Sequence, residues 1–312
     1  MAVEKRQYKI ILWLILLAAG LSSITPFLWI IAGSLKPHLE IQSGRVWPWQ
    51  DYAVKPEAPP EPAAPQPKSA PAPAPATQPV EQRRYVTLDN YRQIFGELSG
   101  LPVYYFNTAY LAVSGTFLTL LVGSLAAYGF ARFRFVGNKT LFALLLLTIM
   151  IPGEVMLFGQ YELMFQLRLF DKIAGLLLAY VAGHLLLVIF IMRNVFAAVP
   201  QELVDAAMID GAGTWGVFWD VMVPIGRNGL AACGILTFLG IWNEFVLAMT
   251  FTSMDKVRTL PVGIVMLRGQ YGMFESGVLF ATVLLSFIPI VLVFILLQKY
   301  FVRGLSAGAI KA

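Results

Sequence analysis

One cysteine and two histidines are all that this 312-residue chain has of the residues that most often bind metals or cross-link. A single thiol, Cys233, forms no intrachain disulfide and reads as a small packing residue. His38 and His184 lie too far apart to suggest a metal site of familiar spacing, so no metal is expected. Charge is scarce as well: 13% of residues are charged against 58% hydrophobic. The mean hydropathy of +0.69 does not describe a surface solvated by water. A phosphate-cradling GxxxxGK[ST] loop is missing, because Val136-Gly137-Asn138-Lys139-Thr140 has asparagine where the second glycine is required. The chain is therefore not expected to hydrolyse ATP or to bind a cofactor of its own. Its formal charge of +5 comes from Lys and Arg scattered around apolar runs, which argues against nucleic acid as a partner.

What is present is lipid-soluble sequence. Six segments are long and apolar enough to cross a hydrocarbon core, which takes about 20 residues each. They lie near 10–34, 105–130, 140–164, 173–193, 226–250 and 277–301. The expected fold is an all-α integral membrane protein with six transmembrane helices. Its organisation is an N-terminal segment and first span over 1–34, an extracytoplasmic loop over 35–104, a membrane core over 105–302 with a polar connection at 194–224, and a tail over 303–312. The basic leader Lys5, Arg6 and Lys9 precedes an apolar run too long for a signal peptide, so it predicts a retained anchor. Lys and Arg divide almost evenly between the two sides. The leader and the Arg132, Arg134, Lys139 turn abut spans, however, and this favours both termini, and the 194–224 connection, in the cytoplasm.

Within the 35–104 loop, ten of the 19 prolines fall between Pro56 and Pro79. The insert at 53–84 cannot bury a core and predicts an extended, largely polyproline-II spacer. Trp47, Trp49 and Tyr52 are candidate interface anchors, and Thr87-Leu88-Asp89-Asn90-Tyr91 predicts a turn and short helix.

Between Pro200 and Pro224 runs a polar, helix-forming stretch, PQELVDAAMIDGAGTWGVFWDVMVP. Pro200 suits the first position of a helix, and Glu202 and Asp205 place negative charge in its opening turns. Gly211-Ala212-Gly213 ends it. Thr214 can cap a second helix on which Trp215, Phe218 and Trp219 share one aromatic face. The expectation is a helix-turn-helix elbow lying along the bilayer surface. Ionisable groups at membrane depth are costly, which draws attention to Glu154, Glu162, His184 and Glu244. Pro152-Gly153 should kink the third span. Trp242-Asn243-Glu244-Phe245 supports two readings: aromatic and polar groups that grip a sugar, or interhelical packing and hydrogen bonding.

Asp205-Ala206-Ala207, Gly211 and Val221-Met222-Val223-Pro224, at their observed spacing, resemble the EAA motif of ATP-binding-cassette importer permeases. Aspartate replaces the motif's usual glutamate, and valines replace its isoleucine and leucine. Further stretches narrow the resemblance to the carbohydrate-uptake class, similar to the smaller permease of maltose-type importers. They are Gly123 to Phe133, Ile151 to Val155, Trp242 to Phe245, and the tail Tyr300 to Lys311. The resemblance implies a type I importer permease (MetI-like) fold and an alternating-access sugar importer of the cell membrane. It implies as partners a second, different permease, two cytoplasmic ATPases that use ATP and magnesium, and an extracytoplasmic sugar-binding protein. It assigns ATPase coupling to Glu202, Asp205, Ala206, Ala207, Asp210, Gly211, Ala212 and Pro224. Tail contact with the ATPases falls to Gly304, Leu305 and Gly308, while the chemistry of the residues themselves marks Glu154, Trp242, Asn243 and Glu244 as candidates for the substrate pathway. A membrane scaffold and a secondary transporter are the alternatives.

Overall fold

The computed structural model describes residues 2–36, 86–96, 100–270 and 276–309, and of residues 2–8, 10, 267–270, 276 and 299–309 the backbone alone. The expected spacer at 53–84 and its neighbours Trp47, Trp49 and Tyr52 lie outside them. Among the described residues all regular structure is helical, and the chain is an all-α, multi-pass membrane protein. Four helical stretches, Ile11–Ser34, Leu101–Arg132, Ile173–Ala197 and Gly277–Gln298, are each long and apolar enough to span a bilayer. Two bent pairs raise that number to as many as six.

The chain divides into two compact units. In the first, helix α1 (Ala2–Ser34) exposes an almost unbroken apolar surface from Ile11 to Leu17. Such a surface is at home only against lipid or another protein. Helix α2 (Asp89–Gly96) is the expected short helix. Thr87 opens it by accepting from the Asp89 N–H at 3.1 Å. Asn90 Nδ2 donates to the carbonyls of Ser34 at 2.7 Å and Lys36 at 3.0 Å, fastening α2 to the end of α1.

The second unit is built on α3 (Leu101–Arg132) and α6 (Ile173–Ala197), packed along each other in the same direction. Close approach needs small residues. A Cβ at Gly123 would sit 2.7 Å from Val188 Cγ1, so only glycine lets these two helices meet there. Between them, α4 (Asn138–Thr148) and α5 (Gly153–Gln166) meet at 100°. The bend is much sharper than a kinked span. Pro152 is the N-cap of α5 rather than a residue inside a continuous helix, and a proline cannot donate to the preceding turn.

After α6 come α7 (Gln201–Ile209) and α8 (Thr214–Ile225), followed by α9 (Arg227–Trp242), α10 (Val246–Phe251), α11 (Leu260–Gln270) and α12 (Ser276–Ala309). The fifth apolar segment is therefore not one rod. It breaks at Asn243–Phe245 between α9 and α10, a break not expected from its hydropathy. The end of the unit remote from α7 is tied by polar contacts. Asp171 accepts from the backbone N–H groups of Ser253 (2.5 Å) and Met254 (2.9 Å) and from the Ser253 hydroxyl, while Arg258 pairs with Asp255. Burial pushes the Asp171 carboxyl up, but these donors and the nearby Arg258 charge outweigh it and hold it below the usual carboxylate range.

Candidate functional site

The elbow starts one residue later than its sequence suggests. Pro200 is the N-cap, with ψ 141°, and α7 begins at Gln201. At the other end, Gly211 adopts φ +90°, the Gly211 N–H donates to Met208 O (3.1 Å) and the Ala212 N–H to Ala207 O (2.9 Å). This is a Schellman closure, in which glycine takes the left-handed position at little steric cost. Thr214 does not cap the second helix with its side chain. Gly213 is the N-cap, and the Thr214 carbonyl instead accepts from Tyr128 Oη at 3.2 Å.

The shared aromatic face is also overturned. Residues Val217–Met222 form a π-helical turn, whose larger number of residues per turn shifts side-chain phase away from the 3.6-residue period. Phe218 is fully buried, whereas Trp215 is 66% and Trp219 51% exposed. Phe218 packs against Tyr128 (5.4 Å between centroids) and Phe196 (6.3 Å). With Val204, Val217 and Met222 it joins a core shared with α3 and α6. The elbow is thus cemented to the bundle through its inner face.

Polar contacts, unforeseen in the sequence, strengthen that attachment. Arg132, the last residue of α3, donates from Nη2 to Val199 O (2.5 Å) and from Nη1 to Gln201 Oε1 (3.0 Å). Gln201 Nε2 in turn donates to Asp205 Oδ1 at 2.9 Å. The outer face of α7 has no such cover. Glu202, Asp205, Ala206, Asp210 and Gly211 are exposed there, with the apolar Leu203, Met208 and Ile209 among them. Ile209 is 86% exposed. Of the two motif alanines only Ala206 points outward. Ala207 and Ala212 pack on the inner core, and Pro224 is exposed on α8.

At the break in the fifth segment the carboxylate of Glu244 is fully engaged. It accepts from Tyr180 Oη (2.8 Å) and from the backbone N–H groups of Leu247 (2.7 Å) and Ala248 (3.0 Å), so its side chain caps α10 from the position before the N-cap residue Phe245. Trp242 is buried, stacked on Phe238 at 5.6 Å, edge-on to Tyr105, and donates through Nε1 to Ser286 O at 3.2 Å. Asn243 is exposed, and its Nδ2 donates to Leu239 O at 2.9 Å. Glu154 is exposed in the first turn of α5, where the helix dipole favours a negative charge. No hydrogen bond or ion pair joins it to the 242–244 group among the described residues. Gly304, Leu305 and Gly308 fall in the last turns of α12, where the side chains lie outside the described residues.

The capping geometry makes a firm prediction. Glu244→Ala removes the cap and leaves the buried Tyr180 hydroxyl without its acceptor, which should cost about 2 kcal/mol or more. A lowered melting midpoint of the purified protein, read by intrinsic fluorescence, checks it. Glu244→Gln retains one acceptor oxygen and should recover part of the loss.

Residues 119–307, which contain the elbow and both breaks, match the family described as binding-protein-dependent transport system inner membrane component. The chain is 32% identical over 226 residues to the arabinooligosaccharides transport system permease protein AraQ of Halalkalibacterium halodurans, covering 72% of this chain and 80% of that one. It is 33% identical over 227 residues to the trehalose/maltose transport system permease protein MalG of Thermococcus litoralis, covering 72% and 81%. A chain from the crystal structure of a bacterial ABC transporter involved in the import of the acidic polysaccharide alginate superposes with a TM-score of 0.70 at 19% identity. That match covers 96% of this chain and 98% of the other, and is a likeness of fold.

Proposed function

This chain belongs to the family of binding-protein-dependent transport system inner membrane components, and from that premise we propose how it works. It is a permease subunit of an ATP-driven sugar importer, forms half of the translocation pathway, and takes its stroke through the 201–225 elbow. The observation that carries this reading is the two-sidedness of α7. Val204 is locked into the bundle while Leu203, Met208 and Ile209 stand exposed beside Glu202 and Asp205. Apolar residues rimmed by charge are the surface of a helix that a partner covers.

The partner is a cytoplasmic ATPase, which holds ATP and its magnesium ion. Two such ATPases serve this chain and a second, different permease, and a sugar-binding protein delivers the solute on the opposite side. Both termini lie in the cytoplasm with the elbow. Ala206 allows close approach, Asp205 pairs with a basic group of the ATPase, and Gly304, Leu305 and Gly308 of the tail reach between the two ATPases. Closure of the ATPase dimer on ATP pushes the elbow. Because Phe218 and Arg132 fix it to α3 and α6, the spans turn as a body around the pathway. Asn243 and Glu154 line that pathway, with Trp242 and Glu244 holding its wall. The cargo is a saccharide of oligosaccharide class, in keeping with the substrates named for the relatives.

The test is reconstitution into proteoliposomes of everything that co-purifies with the chain, with and without a candidate binding protein. ATP hydrolysis stimulated by the binding protein and coupled to uptake of labelled oligosaccharide is expected. Uptake driven by an ion gradient without any ATPase would identify a secondary transporter instead, and a co-purified ATPase without stimulated transport would identify a scaffold.

A further inference from the structure

A cavity of about 610 Å³ opens beside the elbow, between the α3–α4 turn and α6. Arg132, Arg134, Lys139 and Arg193 line it, and no carboxylate does. None of the four is ion-paired with an acid among the described residues. Four cations gathered around one space repel one another unless an anion joins them. The space is firmly built. Arg193 lies 4.6 Å over the ring of Phe142, and Phe130 packs on both Phe142 and Phe135. Asn138 Nδ2 closes the turn by donating to Phe133 O (2.9 Å) and Phe130 O (3.3 Å). The Nε groups of Arg132 and Arg193 are buried without a hydrogen-bond partner.

The rim has the opposite character. Phe133 and Phe135 are 43% and 42% exposed, and Val136, at the tip, is entirely so. Since the turn follows directly on the membrane-spanning α3 and leads into the apolar α4, it sits where headgroups give way to acyl chains. A cationic pocket with an apolar rim at that depth suits an amphiphile that carries a phosphate, and a free anion would leave the rim unused. We propose that this cavity binds the phosphodiester headgroup of an anionic phospholipid from the elbow-side leaflet. Arg132 serves both the cavity and the elbow. A bound headgroup therefore steadies the residue that holds Gln201 and Val199, and coupling becomes sensitive to anionic lipid.

The experiment uses the intact complex as it purifies, placed in nanodiscs of phosphatidylcholine with or without phosphatidylglycerol. Lipids retained on release are counted by native mass spectrometry, with inorganic phosphate as soluble competitor. Phosphatidylglycerol should be kept in preference to phosphatidylcholine and should not be displaced by phosphate. Retention should fall roughly fivefold for each cation removed in Arg134→Gln, Lys139→Gln and Arg193→Gln, and persist in Arg134→Lys. Equal retention of the two lipids, or undiminished phosphatidylglycerol in the variants, overturns the proposal. Displacement by inorganic phosphate makes the cavity a site for a free anion. Loss of co-purifying protein subunits with lipid retention intact makes it a protein-docking face. Should a variant fail to assemble, the comparison of both lipids and phosphate on the unmodified complex decides by itself.

Discussion

Gly211→Trp should leave a complex that assembles and hydrolyses ATP but whose sugar uptake falls on the order of tenfold or more, a barrier change of about 1.4 kcal/mol upward. A Cβ on Gly211 meets nothing within 4 Å in this chain. The indole therefore projects outward, into the face that the ATPase is proposed to cover. The left-handed φ of +90° adds a strain of about 1–2 kcal/mol for any side chain, so Gly211→Ala is the control for the backbone alone. Alanine should retain most of the uptake. Equal losses in both variants would assign the effect to the turn's conformation, and wild-type uptake in the tryptophan variant would rule out this face as the coupling surface.

Phe218→Ala should act differently, lowering stability and transport together. Phe218 is fully buried between Tyr128 and Phe196, and emptying such a site costs about 3–5 kcal/mol. The elbow would then slacken on the bundle, so both the melting midpoint of the purified complex and its ATPase retention on a sizing column should drop. Phe218→Leu, which refills most of the volume, should restore much of both. Trp215→Ala, at a position two-thirds exposed, should leave the melting midpoint where it was. A Phe218→Ala complex as stable as the wild type would mean that the elbow is held by Arg132 and Gln201 alone.

Much of this fold is legible in the sequence because lipid imposes long apolar runs on it. The spans beginning near 105, 173 and 277 are recovered as α3, α6 and α12. Pro152-Gly153 announces an interruption, although a proline's missing donor does not tell a kink from a 100° bend. The elbow's first helix and its glycine stop are equally readable. The aromatic face is not, since the periodicity of Trp215, Phe218 and Trp219 assumes 3.6 residues per turn and the π turn at Val217–Met222 breaks that assumption. The break at Asn243–Phe245 is hidden by hydropathy, which registers Phe245 and Val246 as a continuing span. The available signal was Asn243 beside Glu244, two side chains able to satisfy backbone groups outside a helix. The hold of Arg132 on Val199 and Gln201 depends on which helices become neighbours, and no local pattern carries that.

The 100° bend between α4 and α5 distributes stiffness unevenly. Helices of 11 and 14 residues reach about 16 and 21 Å at 1.5 Å per residue, and neither alone crosses a hydrocarbon layer of about 30 Å. The uninterrupted α3 and α6, of 32 and 25 residues, are each long enough to cross that layer as a single rod. The α4–α5 segment, bent by 100°, has no common axis along its length. Its two limbs offer no straight path through the layer, and the depth it reaches is set by the angle at Pro152 and not by its residue count.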